Sequence, residues 1–86
     1  MAFSFDIKKP DNLEEVLFSV TQDIKREGGT LKGDINSGEI SIQGVEGTYK
    51  VEGDVIKITI TKKPFIITES RVKEEIKKYF DKYTKK

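Results

Sequence analysis

The side chains that could do chemistry here are carboxylates, lysines, hydroxyls and tyrosines, because the 86 residues include no histidine, cysteine or tryptophan. Carboxylates stand in adjacent pairs at Glu14–Glu15 and Glu74–Glu75. General acid–base catalysis by two carboxylates requires surroundings that push their pKa values apart. Neighbouring residues of a helix point in different directions, so we expect both pairs on solvated helix surface and predict no catalytic residue.

Two other patterns could suggest a metal or a cofactor, and their placement argues against both. Asp34 and Glu39 flank a turn and could offer oxygen ligands to calcium, but their spacing matches no recognised calcium loop. Gly28–Gly29 ends a predicted helix, whereas a phosphate-binding loop precedes one. We therefore predict no metal site and no cofactor.

The charge distribution raises the question of nucleic-acid binding. Residues 1–61 hold 7 basic and 11 acidic side chains, and residues 62–86 hold 9 and 4. Sheets that bind single strands use aromatic platforms among basic residues. The polar sheet face predicted here offers Lys32, Lys50 and Lys57 without an aromatic. We interpret the basic end as a solvated helix face suited to a helix C-terminus, and not as a nucleic-acid site.

The first elements to position these side chains are a strand and a helix. Phe3, Phe5 and Ile7 alternate with polar residues, which predicts a half-buried strand. Asp11-Asn12-Leu13-Glu14 is a helix-start signal with an acidic cap candidate. The apolar stripe of this helix is Leu13, Val16, Leu17, Val20 and Ile24. Gly28–Gly29 suits the end of the helix.

Four short strands separated by turns are predicted between Thr30 and Thr61. Their inward residues are Leu31 and Ile35, Ile40 and Ile42, Tyr49 and Val51, and Ile56, Ile58 and Ile60. Asn36-Ser37-Gly38 and Gly53-Asp54 suit tight turns, and residues 44–47 suit a looser connection. The alternate positions are polar, so we expect one sheet face to be covered and the other solvated.

A second helix closes the chain. Thr68 or Ser70 can cap it, and its apolar stripe is Val72, Ile76, Tyr79, Phe80 and Tyr83. Residues 84–86 are predicted to fray. We therefore predict that residues 1–86 form a single α+β domain, a two-layer sandwich in β-α-β-β-β-β-α order. Its five-stranded, mainly antiparallel sheet has the order 2-3-4-5-1, with both helices on one face in a reduced helix-grip arrangement. The alternative pairs strand one with strand two.

Composition bears on cellular context. The chain has no cysteine, its N-terminus lacks a signal-peptide pattern, and no apolar run approaches the roughly 20 residues of a membrane helix. We therefore expect a cytoplasmic protein without a membrane span. The abundance of Lys, Glu and Ile fits a thermophilic source.

Two apolar features are not used by the predicted core. Phe18 lies about 120° or more from the stripe of the first helix, taking about 100° per residue. Phe65, Ile66 and Ile67 form an apolar link that alternation can bury on one side only. Phe18 is either a lone exposed aromatic or part of a contact with a partner or a second copy. The link is either a loop over the end of the core, a contact segment, or the lip of a small apolar pocket between sheet and last helix.

Several segments resemble a group of small uncharacterised microbial proteins. These segments are Gly47-Thr48-Tyr49-Lys50-Val51, residues 58–65, Glu69-Ser70 and residues 76–80. The layout is also similar to the small proteins of the polyhydroxyalkanoic acid (storage polyester) system family. The resemblance rests on turns, strand alternation and a helix stripe. It implies the fold and carries no functional residue.

Three functions follow as expectations. The first is a non-enzymatic binding or accessory module that acts on a protein partner or on a second copy. The second is a helix-grip-like binder of an apolar ligand, such as an acyl chain or polyester fragment, in a cavity of a few hundred Å³. An enzyme comes third, since no set of reactive side chains converges in the sequence.

Overall fold

A computed structural model describes residues 2–84 and contains two helices and five strands in the predicted order. The elements are β1 (Phe3–Lys8), α1 (Leu13–Arg26), β2 (Thr30–Gly33), β3 (Ser37–Ile42), β4 (Val45–Glu52), β5 (Val55–Lys62) and α2 (Glu69–Tyr83). The order confirms the α+β class.

The strands form one open sheet in the order β1-β5-β4-β3-β2, in which every neighbouring pair is antiparallel. Phe5 of β1 lies opposite Ile58 of β5, so the prediction that strand one pairs with strand five is confirmed. The alternative, a parallel pair of β1 and β2, is wrong, because these two strands are the opposite edges of the sheet.

The β2–β3 turn lies earlier in the chain than predicted. β2 ends at Gly33 and β3 begins at Ser37, so Asn36-Ser37-Gly38 is not the turn. The Asp34 carboxylate accepts hydrogen bonds from the backbone N–H groups of Asn36 (2.8 Å) and Ser37 (3.1 Å). This side chain closes the turn itself. Ile35 therefore lies in the turn and is exposed, and its predicted place on the inward strand face is wrong.

The β3–β4 connection is also tighter than predicted. Gln43 and Gly44 have φ values of 48° and 83° and form the whole turn, with both central residues left-handed as in a type I′ hairpin. Val45 begins β4 and is buried. Gly47 lies inside the strand at a bulge, where an added Cβ would come within 2.5 Å of the Thr59 carbonyl oxygen. The looser connection expected over residues 44–47 is therefore wrong.

Both predicted boundaries of α1 are close to the observed ones. Asn12 is the N-cap residue, although its side chain makes no cap hydrogen bond, so the acidic cap expected from the Asp11–Glu14 signal does not form. At the other end, Gly29 N–H donates to Ile24 O and Gly28 N–H donates to Lys25 O. This pair of hydrogen bonds with Gly28 at φ 87° is a Schellman ending.

Thr68 caps α2, since its side-chain oxygen accepts a hydrogen bond from Arg71 N–H at 3.2 Å. Thr84 follows the helix, and its hydroxyl donates to the Phe80 carbonyl oxygen at 2.7 Å. The rest of the predicted frayed tail, residues 85 and 86, lies outside the described residues.

The core lies between the helices and one face of the sheet. It contains Leu13, Val16, Val20 and Ile24 of α1, Val72, Ile76 and Phe80 of α2, and Phe5, Ile7, Ile40, Tyr49, Ile56, Ile58 and Ile60 of the strands. The opposite face carries Lys32, Glu39, Thr48, Lys50 and Lys57, which are exposed. This division is the two-layer arrangement that the alternation predicts.

Candidate functional site

Among residues 2–84, the most exposed large apolar side chains lie on the connection from β5 to α2. Phe65 is 99% exposed and Ile66 is 89% exposed, while Ile67 packs partly against the core. The backbone that carries them is held in place. The Lys63 ammonium donates to the Ile67 carbonyl oxygen at 2.7 Å, and Ile67 N–H donates to Pro64 O at 3.1 Å. Phe65 and Ile66 thus project from a structured turn.

A groove of about 470 Å³ lies beside this connection. Its walls are the connection itself, α2 and the β3–β4 hairpin. The apolar lining is Ile42, Val45, Ile66, Ile67, Val72 and Ile76, and the polar lining is Glu27, Gln43, Thr68, Arg71, Glu75 and Tyr79. Phe65 does not line the groove. The volume lies within the roughly 300–1,000 Å³ of ligand pockets.

Phe18 lies in a different surface depression. It is 68% exposed on α1 and shares a shallow groove of about 490 Å³ with Ile35, which is 48% exposed. None of the residues lining this groove lines the first one. The four candidate contact residues are therefore divided, with Phe65, Ile66 and Ile67 together and Phe18 apart. Ile35 is an addition that the sequence missed, because its strand was expected to continue past Gly33.

The two helices are joined by tyrosine–carboxylate hydrogen bonds. Tyr79 donates to Glu27 Oε2 at 2.7 Å, and Tyr83 donates to Asp23 Oδ2 at 2.5 Å. Asp23 is buried and also pairs with Arg26 and with Lys82. Sequence reasoning placed both tyrosines on an apolar stripe and gave Asp23 no role. The sequence feature that matches these two hydrogen bonds is an equal spacing of four residues, from 23 to 27 and from 79 to 83.

The shifted pKa values in the molecule have structural causes. Burial, followed by the hydrogen bond to Glu27, raises the pKa of Tyr79 to about 12. Burial also raises the pKa of Tyr49, whose hydroxyl donates to the Asp34 carbonyl oxygen at 2.7 Å. The backbone hydrogen bonds from Asn36 and Ser37 lower the pKa of Asp34. Each shift accompanies a contact that holds the fold together.

Other sources of chemistry are scarce in the part of the chain that the structure describes. Within residues 2–84, no three carboxylates lie close enough to hold a metal ion, and every fully buried side-chain nitrogen or oxygen has a hydrogen-bond partner. On the polar sheet face, Lys50 and Lys57 lie directly opposite each other. Neither described helix is long and apolar enough to cross a membrane.

No protein-family model, curated protein or solved structure matches this chain. The resemblance to the polyhydroxyalkanoic acid system family and to small microbial proteins therefore stays a prediction.

Proposed function

We propose that this protein is a non-enzymatic binding module whose contact surface is formed by Phe65, Ile66 and the groove beside them. The observation that carries the proposal is the exposure of Phe65 and Ile66 on a hydrogen-bonded turn. Covering a Phe or Ile side chain is worth about 1.5–3 kcal/mol relative to leaving it in water. A partner that covers both side chains would gain about this much free energy for each of them. Little backbone of this turn would have to become ordered, because hydrogen bonds already hold it.

Photo-crosslinking from single positions tests the proposal. Phe65→p-benzoylphenylalanine retains an aromatic side chain at the proposed contact, and Lys57→p-benzoylphenylalanine places the same group on the polar sheet face as the control. In irradiated cells that express each variant, we expect a discrete protein adduct from position 65 and much less from position 57. Absence of an adduct from position 65, or equal yields from both, would contradict the proposal.

A second function is favoured by the groove itself, which has the volume and apolar lining that an acyl chain or polyester fragment needs. Dansyl-undecanoic acid is a suitable probe, because a chain without tryptophan adds little background fluorescence. Binding should saturate and should weaken in Ile67→Gln, which changes the lining, but not in Ile35→Gln, which lies elsewhere. Failure to saturate, or equal loss in both variants, would exclude this function.

Enzymatic activity comes last among the proposals. Raised tyrosine pKa values leave little phenolate at neutral pH, so Tyr49 and Tyr79 are poor candidates for general bases. We further propose a cytoplasmic location, which is supported by a composition without cysteine. The composition rich in Lys, Glu and Ile supports a thermophilic origin. A midpoint of thermal unfolding above about 90 °C would agree with that origin.

A further inference from the structure

A protruding aromatic and an apolar groove lie side by side on this molecule. Phe65 is 99% exposed, so it makes almost no contact with its own chain. The next residue, Ile66, forms part of the groove wall. The groove is open. The neighbouring Phe65 side chain, which could fill such a space, points into solvent.

We infer that the groove binds the Phe65–Ile66 turn of a second copy of this chain. When a projection and its receptor lie on one surface, a two-fold axis lets each copy insert its projection into the other copy's groove. Such an exchange is closed, so it produces a dimer and leaves no free groove for further addition. This inference rests on the proposed function and names its partner.

The charges around the two parts are complementary. Lys62 lies three residues before Phe65 and its largely exposed ammonium is 3.7 Å from Glu46, whereas Glu27 and Glu75 line the groove. Arg71 also lines the groove and lies 3.4 Å from Glu75. The groove thus contributes two carboxylates and one guanidinium, and the incoming segment contributes the Lys62 ammonium, since the Lys63 ammonium already donates to the Ile67 carbonyl oxygen. Exposed charges of this kind favour the correct orientation and weaken with added salt.

The small size of the proposed contact leads us to expect a weak dimer. An aromatic side chain buries about 150–250 Å², so a contact made by two copies of Phe65 and Ile66 is small and belongs with weak interfaces, which bury less than about 1,200 Å². We therefore expect a dimer that dissociates on dilution, with a dissociation constant between about 1 µM and about 1 mM.

Sedimentation equilibrium of the full chain over that concentration range tests the inference. The wild-type mass should rise from one chain to two. Phe65→Ser should weaken the dimer by about a hundredfold or more, because two anchors are lost and each is worth at least about tenfold. Phe18→Ser, which removes an exposed phenylalanine outside this groove, should leave the dissociation constant unchanged. A monomer throughout, or equal weakening by both variants, would overturn the inference.

A charge exchange tests which surfaces meet. Glu75→Lys and Lys62→Glu should each weaken the dimer, and an equimolar mixture should recover it, since both contacts of the mixed dimer then join opposite charges. A mixture as weak as its components would overturn the assigned pairing.

The oligomeric state and the crosslinking result together separate the dimer from the proposed function. A monomeric chain that still crosslinks from position 65 to a different protein leaves the proposed function standing, and a monomeric chain without that adduct contradicts both.

Discussion

Phe65 and Phe80 show how differently one residue type is used in this chain. Phe80 is almost completely buried between α2 and the sheet, whereas Phe65 is almost completely exposed on the β5–α2 connection. A chain of 86 residues buries only about 60% or slightly more of its unfolded surface, so its stability depends on nearly every apolar side chain in the core. Leaving a phenylalanine outside the core is therefore a feature that stability does not explain.

This contrast gives a prediction for stability. Phe65→Ser should change the free energy of unfolding by no more than about 0.5 kcal/mol, because no folded-state contact is lost. Phe80→Ala should lower it by about 3–5 kcal/mol, because a buried ring is replaced by a cavity. Urea unfolding followed by circular dichroism, at a concentration below dimer formation, measures both. A large loss in Phe65→Ser would mean that the ring packs on its own chain.

Tyr49 links the core to the β2–β3 turn. Its ring lies where an added Cβ on Gly38 would come within 2.4 Å, and its hydroxyl donates to the carbonyl oxygen of Asp34. Tyr49→Phe keeps the ring and removes this hydrogen bond, so the free energy of unfolding should fall by about 0.5–1.5 kcal/mol. Equilibrium urea unfolding checks the value. The matched control is Tyr79→Phe, which removes a more exposed hydroxyl and should cost less.

The stability of the folded chain should depend on pH through Tyr79, which joins α2 to Glu27 at the end of α1. Its pKa is raised to about 12 in the folded chain, against about 10 for an unfolded tyrosine. Between these values the folded state binds more protons than the unfolded state, so stability falls as pH rises. The contribution of Tyr79 is complete below about pH 10 and is lost by about pH 12.

Urea unfolding at intervals from pH 9 to pH 11.5 measures this effect. The wild type should lose stability more steeply than Tyr79→Phe, because the variant has no phenol at this position to titrate. Parallel curves for the two proteins would show that Tyr79 titrates equally in both states and would contradict the assigned contact with Glu27.

The elements themselves were largely predictable from the sequence. Helical spacing from Leu13 to Ile24 and the glycines after it define α1, and alternation from Ile56 to Ile60 defines β5. The turns were less predictable, because side-chain hydrogen bonds and close strand contacts also determine which residues form them. Asp34 closes its own turn and moves it earlier, and Gly47 is required by a close strand contact and not by a turn.

The candidate site was predictable in part. An apolar run at Phe65–Ile67 marked a segment that the core could not use entirely, and the structure places it beside a groove. The groove itself could not be predicted from local patterns, because the β5–α2 connection, α2, the β3–β4 hairpin and Glu27 come together around it only in the folded chain. The division of Phe18 from Phe65 likewise depends on tertiary packing, which sequence spacing does not specify.

The large exposed apolar side chains of residues 2–84 lie in two places on the molecule. One is the Phe65–Ile66 turn with its groove, and the other contains Phe18 and Ile35 at the edge of the sheet. The dimer proposed above covers the first and leaves the second in solvent. Ile66 in the first place can therefore report on the dimer, and Ile35 in the second place can serve as the internal control in the same experiment.

Methyl NMR of isoleucine with a soluble nitroxide tests the exposed contact surface and its burial in a dimer most directly. In dilute solution the Ile66 and Ile35 methyl signals should broaden strongly, while those of buried Ile56 and Ile58 should not. At concentrations where the chain dimerises, Ile66 should become protected and Ile35 should stay exposed. Protection of Ile66 in the dilute monomer would contradict the exposed contact surface, and unchanged exposure of Ile66 in the dimer would contradict its use as the interface.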